Sequence, residues 1–312
     1  MIYPPSSETI QLLSQKLLDH EIIALPTETV YGLAGLATSD QAIAEIYAQK
    51  KRPQFNPLII HGSSLALLKS QVIWNSWAEK LAARFWPGPL TLVLPKNPTS
   101  SLSLLALAGL ETVAIRMPSH PLMQQVLNQV GLVAAPSANP SGLISPTCAQ
   151  DVENAFEGRL PVLDGGAAEV GLESTIVDLS GKTPHLLRPG GIALEELEEV
   201  LGPILQGVPI SIKSPGQLNS HYAPRCPLIM NVKERSEGAA YIAFGPDFPE
   251  SCPGLFNLSP TGDLKEAASH LFAMMRNADQ AGYSYIEVAP IPNEGLGLAI
   301  NDRLKRAAAP RH

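Results

Sequence analysis

Twice in its first half the chain breaks a short apolar run with proline and releases it into small hydroxyl side chains, and this repeated junction narrows the folds open to it. Ile22-Ile23-Ala24-Leu25 ends at Pro26 and opens into Thr27-Glu28-Thr29-Val30-Tyr31-Gly32-Leu33. Leu132-Val133-Ala134-Ala135 ends at Pro136 and opens into Ser137-Ala138-Asn139-Pro140-Ser141-Gly142, followed by Ser145-Pro146-Thr147. Apolar runs of this length read as buried strands, and proline ends each because it has no N–H for a sheet ladder. Hydroxyls gathered at strand ends suggest a crevice at the edge of an α/β sheet, where loops leave room for a ligand. Such hydroxyl and amide groups suit phosphate or ribose oxygens without a Walker-type lysine loop. For the first junction, a plain polar turn into Gly32 is the alternative.

The intervening segments alternate between helical and strand patterns. Ser6 and Ser7 precede Ile10, Leu13 and Leu17 at helical spacing, and Ser39 precedes Ala42, Ile43, Ile46 and Tyr47 in a helix ending at Lys50-Lys51-Arg52 before Pro53. Pro57–His61 is the next strand, followed by helical stretches near 64–71 and 75–85. Trp86-Pro87-Gly88-Pro89 then turns into the strand Leu90–Leu94, and a helix runs from Ser119 to Gly131. Thr112–Arg116 and Leu186–Arg188 are strands closed by arginine, and Ser174–Asp178 opens another. Alternation places Thr112 and Arg116 on one face. An arginine ending an apolar strand needs an anion or a surface.

A chain of 312 residues with 45% hydrophobic content has material for two cores. Residues 1–210 read as one domain, 211–227 as a linker, and 228–312 as a small α/β domain with strands at Leu228–Val232, Ala240–Phe244 and Tyr285–Val288 and helices near 263–281 and 298–309. The linker is rich in Ser, Pro and Gly, yet it holds His221-Tyr222; extended, it reaches on the order of 50 Å, enough to fold back over the first domain as a lid. The net charge of −7, with the whole acidic excess before residue 211, argues against a protein that coats a nucleic-acid backbone. Cys148, Cys226 and Cys252 have no metal-type spacing. Without a signal-like N-terminus or a bilayer-length apolar run, the expected location is cytoplasmic, with no membrane contact.

P-loop, zincin and G-x-S-x-G signatures are absent, and Gly295-Leu296-Gly297 lacks the third glycine and leading strand of a dinucleotide fingerprint. The loops do form a recognisable series: Pro26–Leu33, Lys50–Pro53 with Asn56-Pro57-Leu58, Pro87–Thr91, Arg116-Met117-Pro118, Ala135–Asn139, Ser174–Asp178 and Arg188-Pro189-Gly190. In this order they resemble the YrdC-like threonylcarbamoyl-AMP synthases over roughly residues 10–200. Ser214-Pro215-Gly216 with His221-Tyr222-Ala223-Pro224 resembles the linker of their two-domain form, and 295–309 the end of its second domain.

The resemblance implies a twisted mixed sheet with a large concave cleft, a smaller Rossmann-like second domain, and a nucleotidyltransferase that makes threonylcarbamoyl-AMP and pyrophosphate from L-threonine, bicarbonate and ATP. A downstream tRNA threonylcarbamoyl transferase would use the product, and a weak direct contact to tRNA is left open. Carried residue by residue, it assigns Lys50, Arg52, Asn56, Thr112, Ser137, Asn139, Ser145, Arg188 and Tyr222 to ATP, with Lys50 and Arg52 as positioning cations. Thr29, His61, Arg116 and Ser174 are assigned to threonine, and Mg2+ is expected beside ATP. No protein nucleophile is required. Two rivals are an RNA-binding module without catalysis and a maturation enzyme that makes a carbamoyl-adenylate; zinc-finger cysteines, usual in the latter, are missing.

Overall fold

A computed structural model describes residues 1–207, 220–248 and 252–310. The strands among them form two sheets. The larger is mixed and has 11 strands, running from Ile2–Tyr3 through Val162–Leu163, Ile23–Leu25, Gly32–Leu36, Val133–Ala134, Ile59–His61, Thr112–Arg116, Leu90–Pro95, Thr175–Asp178 and His185–Arg188 to Leu205–Gln206. Period-two alternation divides its side chains. One face, carrying Ala24, Leu33, Ile60, Ala134, Ile115, Leu92 and Val177, packs against the helices Asp40–Lys50, Leu65–Ser70, Ser76–Phe85 and Leu194–Leu201. On the other face, Ser7–Leu18 and Pro121–Val130 cover Ile23, Leu25 and Val133 but leave the strip Ile59, Ala114, Ile176 and Leu187. The cleft lies over that strip.

Local sequence explains the element boundaries. Ser6, Ser39, Ser64 and Asn75 each accept a backbone N–H at a helix start. Lys51, not Pro53, ends its helix by taking the left-handed conformation (φ 49°), so Lys50 and Arg52 are buried while Lys51 is exposed. Gly32–Leu36 is a strand where the sequence suggested a turn and loop. It has no β-branched residue, and glycine serves packing there: a Cβ at Gly35 would lie 3.0 Å from the Ala42 Cβ and 3.2 Å from Ile46 in the overlying helix.

The smaller sheet is wholly parallel, in the order Leu228–Met230, Tyr285–Val288, Ala239–Ala243, Leu255–Asn257. Sequence reasoning missed Leu255–Asn257, which is too short to show a period. Helices Leu264–Gln280 and Gly297–Ala307 bury Leu271, Phe272, Met275, Ile300 and Leu304 on one face, against Ala240, Ile242, Ile286 and Val288. Val30 and Leu172 from the first sheet's loops join the same core, as does Tyr222. Of the segment expected to be a linker, 211–219 lies outside the described residues and 220–227 is described.

Candidate active site

The cleft is built from loops at both ends of the exposed strip, because its strands run in both directions. Ile59 and His61, two residues apart on one strand, both line it, so the ligand space lies over a sheet face and not only beyond a carboxyl edge as the sequence suggested. Thr27 organises the first loop: its Oγ1 accepts the Thr29 and Val30 N–H groups (3.2 Å each) and donates to the Val30 carbonyl (2.6 Å). This holds Thr29 and Val30 against the cavity. Arg188 reaches it through a β-bulge: strict alternation would put Arg188 on the helix-covered face with Leu186, but the register slips between them. There its guanidinium donates to the Ser174 carbonyl (2.9 Å) and hydroxyl (3.1 Å).

Four cations are buried here: Lys50 (1% exposed), Arg52, Arg116 and Arg188. Lys50 Nζ donates to the Ser137 and Asn139 carbonyls (2.6 and 2.5 Å), and Arg52 to those of Asn56 and Pro57 (3.1 and 2.9 Å). Among the described residues, Lys50, Arg52 and Arg188 form no ion pair with a carboxylate, whereas Arg116 Nη2 meets Glu28 Oε1 at 2.7 Å. Burial, with Arg52 close by, pushes the Lys50 ammonium well below its ordinary pKa, and burial pushes Arg52 down to about 10. Such desolvated charges are costly unless an anion compensates them. The second carboxylate is Glu173. Burial would raise it, but Arg303 and then Arg188 outweigh that and hold it down at about 2.

His61 and His221 are neutral in the fold. Burial lowers both to about 3, with Arg116 adding to the effect at His61. His61 Nδ1 lies 3.1 Å from the Ile59 carbonyl and donates to it, leaving Nε2 as an acceptor. Because both folded values lie below the unfolded value near 6.5, the unfolded chain binds more protons between those limits. The associated stability is complete above pH ~6.5 and lost as pH falls, at about 1.4 kcal/mol per pH unit per histidine. Denaturant unfolding between pH 7 and 5 should therefore show a steep loss, shallower by about that slope in His61→Gln.

Of the residues singled out from sequence, Thr29, Arg52, His61, Arg116, Ser137, Ser174, Arg188 and Tyr222 line one cavity. Lys50, Asn56 and Asn139 stand directly behind it through the contacts above; Ser145 does so by donating to Glu173 Oε1 at 2.6 Å. Thr112 is not brought in. It shares a face with Arg116 but pairs with Pro95 at the opposite end of the strand, where Arg116 pairs with Thr91. Glu28 and Glu173 were missed, although each adjoins a residue that was named. Arg303 was missed because it lies in the second domain's last helix, 130 positions from the Glu173 it pairs with.

Residues 15–190 match the Sua5–YciO–YrdC family model, whose description reads "Telomere recombination", and residues 192–309 match that of the threonylcarbamoyl-AMP synthase C-terminal domain. The threonylcarbamoyl-AMP synthase of Bacillus subtilis is 38% identical over an alignment covering 95% of this chain and 91% of that one. Its Pyrococcus abyssi counterpart is 37% identical, covering 97% and 94%. The crystal structure of P. abyssi Sua5 complexed with L-threonine superposes with a TM-score of 0.90 at 36% identity, covering 99% of this chain and 97% of that one. Escherichia coli YciO, at 19% identity and a TM-score of 0.54, shares the fold of the first part.

Proposed function

This chain belongs to the Sua5–YciO–YrdC family, with the Sua5-type C-terminal domain, and from that premise we propose that it is a nucleotidyltransferase making L-threonylcarbamoyl-AMP from L-threonine, bicarbonate and ATP. The observation that carries the reading is the trio of buried cations, Lys50, Arg52 and Arg188, that have no carboxylate ion pair among the described residues, two lining and one backing a cavity also lined by Arg116, which suits an oligophosphate and a second anion. The threonine amine attacks the carbon of CO2, formed from bicarbonate with loss of hydroxide, and gives up a proton to become a carbamate. A carbamate oxygen then attacks the α-phosphorus as the bond to the pyrophosphate oxygen breaks. Catalysis is alignment of two anions in a dry, cationic cleft, without a protein nucleophile.

Arg52 and Arg188 are assigned to the phosphates, with Ser137 beside them; Lys50, Asn56, Asn139 and Ser145 hold the loops on which these sit. Thr29, His61, Arg116 and Ser174 are assigned to threonine, and Tyr222 to covering the nucleotide. Magnesium is expected to enter with the nucleotide. No group of three His, Cys, Asp or Glu side chains among the described residues would hold it unaided, and Glu28 and Glu173 each pair with an arginine through one carboxylate oxygen. Bound with ATP, the ion would neutralise phosphate charge. No helix among the described residues is long and apolar enough to cross a membrane. The reading places the enzyme in the cytoplasm, upstream of a transferase that passes the threonylcarbamoyl group to tRNA.

Pyrophosphate release from ATP should require both threonine and bicarbonate. Release driven by carbamoyl phosphate without threonine would favour the carbamoyl-adenylate alternative, and salt-sensitive RNA binding without any release would favour the RNA-binding one. The same assay reads side-chain choice. His61 Nε2 and the Thr29 and Ser174 hydroxyls offer partners to the substrate hydroxyl, so valine, which lacks it, should be rejected more strongly than serine, whose missing methyl costs roughly 1–3 kcal/mol. Equal turnover of valine and threonine would exclude that contact.

A further inference from the structure

We propose that Arg303, supplied by the second domain, is a positioning residue of the adenylating cleft, neutralising the Glu173 carboxylate and fixing Ser145 and the Tyr222 ring through the same contacts. The proposal rests on the function proposed above and gives the second domain a part in it. Arg303 lies on the helix Gly297–Ala307 and is wholly buried (0% exposed). Its Nε donates to Glu173 Oε2 at 2.8 Å, its Nη1 to the Pro189 carbonyl at 2.9 Å, and its guanidinium carbon stands 5.3 Å from the Tyr222 ring centroid. Pro189 directly follows Arg188. One side chain therefore touches the carboxylate, the strand end and the aromatic ring of the cleft wall.

The charge pattern gives these contacts a purpose. Glu173 lines the same cavity as Arg52, Arg116 and Arg188, so a carboxylate faces the space assigned to phosphates. Left alone it would repel them; paired with Arg303 it is neutralised and free to orient Ser145, whose hydroxyl it accepts at 2.6 Å. A second arginine completes the hold. Arg276, on the helix Leu264–Gln280, donates to the Ser145 carbonyl at 2.9 Å and pairs with Asp151 at 2.8 Å. Both helices of the second domain thus grip Ser145, one through its carbonyl and the other through its hydroxyl by way of Glu173. A domain that merely packed nearby would not need two arginines, one wholly buried and one largely so, converging on one serine.

The test is ATP affinity, measured by calorimetry with the full chain in Arg303→Met, Arg303→Lys and the double variant Glu173→Gln/Arg303→Met. The single change to methionine keeps an unbranched stem as far as the position of Nε and exposes the phosphates to an unpaired Glu173, so ATP affinity should fall at least tenfold. The double variant should recover at least fivefold of that loss, and Arg303→Lys should lie between. Protonation gives an independent readout. Arg188, Lys50, His221 and Tyr222 are the other titratable groups around Glu173, and Asp302 shares the Arg303 guanidinium (Nη1 at 2.8 Å) but keeps Arg306 as a partner in every variant; without Arg303 the Glu173 carboxyl rises, so Arg303→Met should regain ATP affinity on acidification relative to the double variant, which loses the same Asp302 contact. A double variant as weak as the single one, with the same pH profile, would make Arg303 a packing residue and overturn the proposal. Should Arg303→Met not fold, the double variant decides: ATP affinity within tenfold of wild type supports the proposal and a larger loss overturns it. Wild-type protein that binds ATP but makes no threonylcarbamoyl-AMP would defeat the proposed function while leaving this affinity test intact.

Discussion

Arg116→Lys should raise the threonine concentration needed for pyrophosphate release by more than tenfold, a loss of over about 1.4 kcal/mol, with little change for ATP. Lysine keeps the charge and loses the planar fork, and the surroundings make that fork hard to replace. Arg116 Nη2 is held by Glu28 Oε1 at 2.7 Å and Nε by the Gly88 carbonyl at 3.3 Å, which fixes the plane and leaves N–H groups on the Nη1 side to meet a carboxylate at two points. A lysine ammonium, with three N–H donors and no fork, cannot satisfy Glu28, Gly88 and both oxygens of a substrate carboxylate together. Arg116→Ala would go further: Glu28 Oε2 is already buried without a partner, and stripping the arginine from Oε1 leaves an uncompensated buried charge worth about 3–5 kcal/mol of stability. The double change Arg116→Ala/Glu28→Gln separates the two roles. It should restore much of the stability and none of the threonine affinity; an unchanged threonine dependence in Arg116→Lys would remove Arg116 from the site.

The junctions at Pro26 and Pro136 were legible because strand burial and proline chemistry are local, and so were Arg116 and Arg188, charges that an apolar strand end cannot leave unanswered. Pairings across the chain were not legible. Glu28 with Arg116, and Glu173 with Arg303, join residues whose separation no periodicity encodes, and they decide which cations remain free for substrate. The bulge that turns Arg188 into the cleft is equally hidden, since it is a slip in register and not a residue type. Thr112 shows a different limit: alternation put it on Arg116's face, but a face extends the whole length of a strand, and only sheet register tells which end borders the cavity.

Tyr222→Ala should cost both stability, by about 3–5 kcal/mol, and most adenylate synthesis, whereas Tyr222→Phe should stay within about 0.5 kcal/mol of wild type. The first half of that expectation follows from where the ring is packed. A linker side chain would contribute little to either core, yet Tyr222 is 1% exposed, stacks on Phe272 with ring centroids 5.3 Å apart, meets His221 edge-on at 4.1 Å, and belongs to the apolar cluster of the second domain. Its neighbours are tied to both domains: the His221 N–H donates to the Arg306 carbonyl at 3.2 Å, and the Ala223 N–H to that of Gly142 at 2.8 Å. Residues 220–227 therefore carry a cavity-lining ring whose position is set by the second domain's core on one side and by the loop after Pro136 on the other. For the lid reading this means that opening must break packing as well as release a strap, and that substrates which stabilise closure should slow proteolysis of the segment. Activity measured well below each variant's melting temperature separates the effects. If Tyr222 covers the nucleotide, Tyr222→Ala loses adenylate even where it is fully folded, because water reaches the carbamate and the mixed anhydride, and Tyr222→Phe keeps it unless the phenol itself contacts the nucleotide. A folded Tyr222→Ala protein with undiminished synthesis would leave the tyrosine a core residue and nothing more.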